Sequence, residues 1–169
     1  VYYIPVDTPS DGTGHPGAPR GAQSPAFLLA QVGALAAAGF AERLGALGLQ
    51  PQHAGVLRLI AASPGVNQLT LGQTLGIFPS RLVTLIDQLE QRGTIERRRN
   101  PEDRRNSALY LTAEGRETLA AIGRVAIEHQ NAFLAALSGE ERERLAGLLQ
   151  RLAAAHGLAL GVHPGFRTL

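Results

Sequence analysis

Apolar residues recur at helical spacing along most of this chain, and the pattern gives way to alternation only once. Ser24-Pro25 reads as a helix start, a cap followed by proline at the first helical position. Leu28, Val32 and Leu35 follow at helical spacing. Phe40, Leu44 and Leu47 continue it after a slip near Gly39, and Gly48 closes this first helix. Pro51 opens a second helix, with Val56, Leu57 and Ile60 apolar, that ends at Ser63-Pro64-Gly65. A short helix is expected from about Gln68 to Leu75, punctuated by Gly76, and a fourth from about Pro79 to Arg92, stopped by Gly93. At Ile95 the period becomes that of a strand. The turn RRNPEDRR follows, and SALYL returns as a second strand. Thr112 then caps a long helix with Leu119, Ile122, Ala126 and Phe133 on one stripe. Ser138-x-x-Glu141 has the form of a capping box for a last helix carrying Leu145, Leu148, Leu149 and Leu152. Residues 1–23, rich in Pro, Gly, Asp and Thr, read as a flexible arm, although the leading VYYIPV could dock on the body or on a partner subunit. The tail, 161–169, looks irregular.

This order predicts a mainly α chain with a small β-hairpin wing, a winged helix-turn-helix flanked by further helices. The expected organisation is an arm over 1–23, a helix over 24–50, the winged helix-turn-helix over 51–111, and helices with a tail over 112–169. In the fourth helix Leu82, Leu85, Ile86 and Leu89 define a buried face. Opposite lie Ser80, Arg81, Thr84 and Gln88, short polar groups plus one fork of donors, suited to base edges and phosphates in a DNA major groove. The same residues would also serve as ordinary solvated surface. The hairpin adds charge. Arg104 and Arg105 at its tip can enter a minor groove, and Arg97, Arg98 and Arg99 on the strand leading there can reach phosphates. Asp103, two residues before Arg105, could orient it through a carboxylate–guanidinium pair. The alternative is a solubilising loop whose charges pair among themselves.

Composition removes several chemistries. The 169 residues include no Cys, which excludes disulfides, thiolate metal sites, Cys nucleophiles and thiol redox sensing. All the strong basic charge is Arg, yet the formal net charge is only +2, so a nucleic-acid reading rests on where the arginines sit. No apolar run approaches the roughly 18–20 residues of a membrane span, and no signal-like segment opens the chain. The expectation is a soluble, cytoplasmic protein with no membrane contact; Val at position 1 fits a processed or trimmed product. Scattered histidines without His-x-x-His spacing argue for no metal. There is no Gly-x-Ser-x-Gly elbow and no phosphate-binding Gly loop, so neither an enzyme nor a cofactor is expected. His53 and Arg58 on the second helix could pair with an anionic ligand, or be solvated or internally satisfied. His129, on the stripe of the long helix, reads as a hydrogen-bonded core or interface residue.

From about Pro51 to Gly115 the chain resembles the MarR family of bacterial transcription regulators. The matching pieces are LQPQHAGVLRLIAASPG, LGIFPSRLVTLIDQLEQRGTIERR, NPEDRR and LYLTAEG. The most specific part is Asp103-x-Arg105 followed by Leu111-Thr112-x-x-Gly115. With the flanking helices the resemblance covers about Ser24 to His156. It implies a homodimer whose first and last two helices intertwine into a helical dimerisation region, which makes 24–50 a dimerisation helix and 112–169 dimerisation helices with a tail, with two projecting winged helices. It also implies Arg105 in the minor groove and Ser80, Arg81 and Thr84 on a recognition helix. Many relatives carry Arg where this chain has Thr84; either Arg81, one turn earlier, takes over the guanine contact or base readout is weaker. Family members often release DNA when a small phenolic or aromatic acid binds between the dimer domain and the winged helix. A small-molecule effector is therefore expected beside double-stranded DNA and a second copy of the chain. Independently, the stripes of the long and last helices exceed what one winged-helix core can cover, and two-fold pairing would bury them. The expected function is a sequence-specific DNA-binding regulator, a repressor acting as a homodimer on a pseudo-palindromic operator. The rival is a winged-helix module for protein–protein contact with no specific operator.

Overall fold

The computed structural model describes residues 24–99, 107–158 and 161, with Arg99 described as backbone only. The expected arm, the hairpin tip with Asp103, Arg104 and Arg105, and the tail from 162 lie outside the described residues. The elements in order are α1 (Pro25–Gly45), α2 (Pro51–Ala62), β1 (Val66–Asn67), α3 (Gln68–Leu75), α4 (Pro79–Gln91), β2 (Ile95–Arg99), β3 (Ser107–Leu111), α5 (Ala113–Phe133) and α6 (Gly139–Ala155). This is the expected mainly α chain with a small hairpin. One element is additional: β1 lengthens the hairpin into a three-stranded antiparallel sheet of order β1-β3-β2. Val66 pairs with Leu109 and Asn67 with Ala108. A two-residue strand has no period of its own, and its ladder partner lies more than forty residues away, so no local pattern announces it.

The chain divides into two compact units, residues 1–36 and 37–169. In the first, α1 begins where Ser24 accepts the Phe27 amide at 3.2 Å. Phe27, Leu28, Leu29, Val32 and Leu35 are exposed. Over an 18-residue window α1 has a mean hydropathy of 1.4, which by length and composition suffices to cross a bilayer. The expectation that no segment reaches that threshold is thereby corrected. Ala and Gly fill the space between the leucines, and the first charge in the helix is Glu42.

The second unit holds the core. Leu44 from α1 joins Val56, Leu57 and Ile60 of α2, Leu71 and Leu75 of α3, Leu82, Leu85, Ile86 and Leu89 of α4, Ile95, Leu109 and Ile122 of α5 in one cluster. Gly76, at φ +65°, turns α3 into α4 in the left-handed region that glycine tolerates. In contrast, α6 starts with the expected box, Ser138 and Glu141 bonding reciprocally, but buries no residue: Leu148, Leu149 and Leu152 face outward.

The Leu-Thr-x-x-Gly signature acquires a physical reason at the start of α5. The Thr112 hydroxyl donates to the Gly93 carbonyl at 2.6 Å and accepts the Gly115 amide at 3.0 Å. The Thr112 amide donates to the Thr94 carbonyl. Gly115 sits against that same carbonyl, so close that a Cβ there would lie 1.9 Å from its oxygen. One threonine and one glycine thus tie the first turn of α5 to the corner between α4 and β2.

Candidate nucleic-acid interface

Leu82, Leu85, Ile86 and Leu89 are buried as the periodicity requires, which turns the opposite arc of α4 outward. Ser80, Thr84 and Gln88 are exposed and Arg81 is half-buried. At about 100° per residue these four span roughly a quarter of the helix circumference. The Thr84 hydroxyl donates to the Ser80 carbonyl at 3.3 Å, which spends its proton on the helix and leaves its methyl and lone pairs outward. Arg81 thus supplies the guanidinium of this face. Pro79 at the first helical position forgoes an amide that has no helical partner there.

The strand arginines divide by the alternation of β2. Arg97 turns toward α4, where one guanidinium nitrogen meets Asp87 and another Glu90. Both carboxylates belong to α4, so this one side chain braces the base of the wing against it. Arg98 points to the other face. Its Nε donates to Glu96 at 3.0 Å, and its guanidinium lies 4.5 Å from the centroid of the Tyr110 ring. Sequence reasoning placed both on phosphates and did not foresee these partners; the only available signal was that Asp87 and Glu90 fall one helical turn apart. Arg99 reaches the described structure as backbone, paired with Ser107 at the top of the ladder. Among the described residues no group of three or more His, Asp or Glu could hold a metal ion.

Residues 47–106 match the model of the MarR family. A putative transcriptional regulatory protein for the hcr operon of Thauera aromatica is 38% identical over 105 residues, which covers 62% of this chain and 63% of that protein. The transcriptional regulator HosA of Escherichia coli O111:H- is 35% identical over 61% of this chain and 76% of its own length. The chain belongs to the MarR family. Its fold overlays the transcriptional repressor CouR, solved on a 23-mer DNA duplex, with a TM-score of 0.69 and 32% identity, over 78% of this chain and 94% of CouR. CouR from Rhodococcus jostii RHA1 has also been solved with p-coumaroyl-CoA, at 29% identity, over 78% of this chain and 93% of that one, with a TM-score of 0.63.

In this MarR-family chain the two residues considered for an anion sit differently. Arg58 is exposed on α2, with one guanidinium nitrogen 3.4 Å from the Gly161 carbonyl. His53 is buried. Its Nδ1 accepts the Gln50 amide at 3.1 Å, closing the N-terminus of α2, and its Nε2 lies 2.9 Å from the Gln88 side-chain oxygen. Both ring nitrogens are engaged, so the internally satisfied reading describes it. His129, by comparison, packs between Phe40 and Phe133 at ring separations of 5.9 and 5.6 Å. Its Nδ1 is buried and has no hydrogen-bond partner among the described residues.

Burial pulls the His53 imidazole below its ordinary value of 6.5, the nearby Arg92 charge adds to this, and the Gln88 bond opposes it. The folded chain therefore binds this proton only at lower pH than the unfolded chain does. Stability from the neutral ring is complete above about pH 6.5 and is lost as pH falls from there toward the folded value. The urea midpoint is expected to drop between about pH 7.5 and 5.5, and His53→Gln to remove part of that drop. An unchanged pH slope in the variant would assign the loss to other groups.

Proposed function

We propose that this chain is a homodimeric transcription regulator that binds a pseudo-palindromic operator in the cytoplasm and represses transcription from it. The observation that carries the reading is the outward arc of α4, polar and donor-bearing, beside a β2 strand of three consecutive arginines. Ser80, Arg81, Thr84 and Gln88 enter the major groove. Arg99, Arg104 and Arg105 carry the wing to phosphates and into the adjacent minor groove, with Asp103 orienting Arg105. Arg98, stacked on Tyr110, adds a phosphate contact, and Arg97 acts chiefly as the brace between wing and helix. With Thr84 back-bonded, Arg81 makes the principal guanine contact. CouR on its duplex supports the use of this fold on DNA. CouR with p-coumaroyl-CoA supports release by a small aromatic or anionic ligand, for which His53, already satisfied, is not the anchor.

A gel shift across salt concentrations tests the reading. Specific binding should appear for a palindromic duplex and weaken with a log–log salt slope of about −0.9 per phosphate contact. Arg105→Ala is expected to lower that affinity at least about tenfold, since a well-placed groove arginine is worth roughly 1–3 kcal/mol, while the dimer stays intact. Equal affinity would remove Arg105 from the interface. Absence of any preferred duplex would leave the protein–protein module as the function.

A further inference from the structure

The polar arc of α4 ends in a residue whose hydrogen bonding is decided from behind. Gln88 is exposed, yet its side-chain oxygen lies 2.9 Å from Nε2 of His53, a ring that is only 5% exposed. The other ring nitrogen accepts a backbone amide, from Gln50 at the N-cap of α2. A neutral imidazole that accepts at Nδ1 carries its proton at Nε2. His53 therefore donates and the Gln88 oxygen accepts. The backbone donor of α2 thus dictates the tautomer, and the tautomer dictates the amide: oxygen inward, NH2 outward.

An unrestrained glutamine reads adenine with both ends of its amide, donating to N7 and accepting from N6. With its oxygen turned inward to a buried ring, Gln88 presents its NH2 and not its oxygen to the groove. We infer that His53 is a positioning residue of the reading helix, which makes Gln88 a donor-only contact for an acceptor atom of the DNA and excludes the bidentate adenine pair. The inference deepens the proposed function and rests on it. Gln88 is suitably placed, four residues beyond Thr84 on the same arc. Its side chain is already ordered, so contact costs less rotamer entropy than for a free glutamine. The acceptor is either a phosphate oxygen or a base edge such as guanine O6 or N7.

The full-length protein can test this. Duplexes are selected from a random-sequence pool by the wild type, then by His53→Glu, His53→Gln, Gln88→Ala and both double variants. A carboxylate at the third helical position keeps the cap, because it accepts the N-cap amide. It cannot donate, so it draws the Gln88 NH2 inward and leaves the oxygen outward. His53→Glu is expected to change the preferred base at one position per half-site if the acceptor is a base edge. If the acceptor is a phosphate, affinity falls about fivefold on every sequence, roughly the worth of one hydrogen bond, and one methylphosphonate substitution abolishes the difference. His53→Gln, which keeps an acceptor and donors, should stay within about twofold of the wild type. In the Gln88→Ala background the effect of His53→Glu should vanish; a merely structural histidine would act equally in both backgrounds, and the added charge cancels between them. Thermal midpoints confirm that each variant is folded. The inference is overturned if Gln88→Ala leaves affinity and selected sequence unchanged, or if His53→Glu acts independently of Gln88. In either case Arg81→Ala would still alter binding and the proposed function would stand. A wild type that selects no sequence would overturn both.

Discussion

Gly115→Ala is expected to cost the fold about 3 kcal/mol or more, the upper range for inserting a methyl where nothing can yield. The obstacle is a backbone oxygen, that of Thr94, 1.9 Å from where the methyl would lie. That oxygen already accepts the Thr112 amide, and buried Thr94 is fixed by its own hydroxyl bond to the Leu89 carbonyl at 2.8 Å. Relief therefore requires α5 to lift from the α4–β2 corner and break the Thr112 contacts. For a chain of this size the thermal midpoint should fall by roughly 10 °C. The same substitution at Gly123, also in α5 but with open space around it, is expected to raise stability by up to about 1 kcal/mol through helix propensity. Paired thermal melts decide the matter. A Gly115→Ala protein that melts with the wild type would mean that the corner is not a rigid contact.

The second large effect is on assembly. Leu148→Glu is expected to convert a dimer into monomers in light scattering at micromolar concentration. Leu148, Leu149 and Leu152 form an apolar stripe on α6, a helix with no buried residue, and α1 exposes Phe27, Leu28, Leu29, Val32 and Leu35. Exposed apolar stripes of this kind mark interaction sites, and a second copy supplies matching stripes by symmetry. A carboxylate forced into such a seam without a partner costs several kcal/mol. Because the core of residues 37–169 draws nothing from α6, the winged helix should keep its melting transition in the variant. A monodisperse dimer would refute the terminal-helix interface.

The helices were legible because their signals are local. Ser24, Thr112 and the Ser138–Glu141 box cap the helices they were expected to cap, and the stripe of α4 is buried as its spacing requires. The features that escaped are those whose partners lie far along the chain. β1 exists through its ladder to β3. Arg97 is oriented by carboxylates on α4, and strand alternation alone could say only that it and Arg98 face opposite ways. His53 replaces the Glu or Gln usual at the third position of a capping box, and its second bond, to Gln88, spans thirty-five residues. The leucines of the first helix were expected on a common stripe. Only Leu44 entered the core; Leu28, Leu29 and Leu35 are exposed.

The corner where Thr112 and Gly115 hold the Gly93 and Thr94 carbonyls makes α5 a lever with its fulcrum at the wing. Its 21 residues extend about 30 Å from that point. A tilt of about 10° there corresponds to roughly 5 Å of travel at the Phe133 end. In the proposed dimer, a ligand that wedged the far ends of the two α5 helices apart would swing β2, β3 and the α4 corner as one piece, which would adjust the spacing between the reading heads without unfolding either of them.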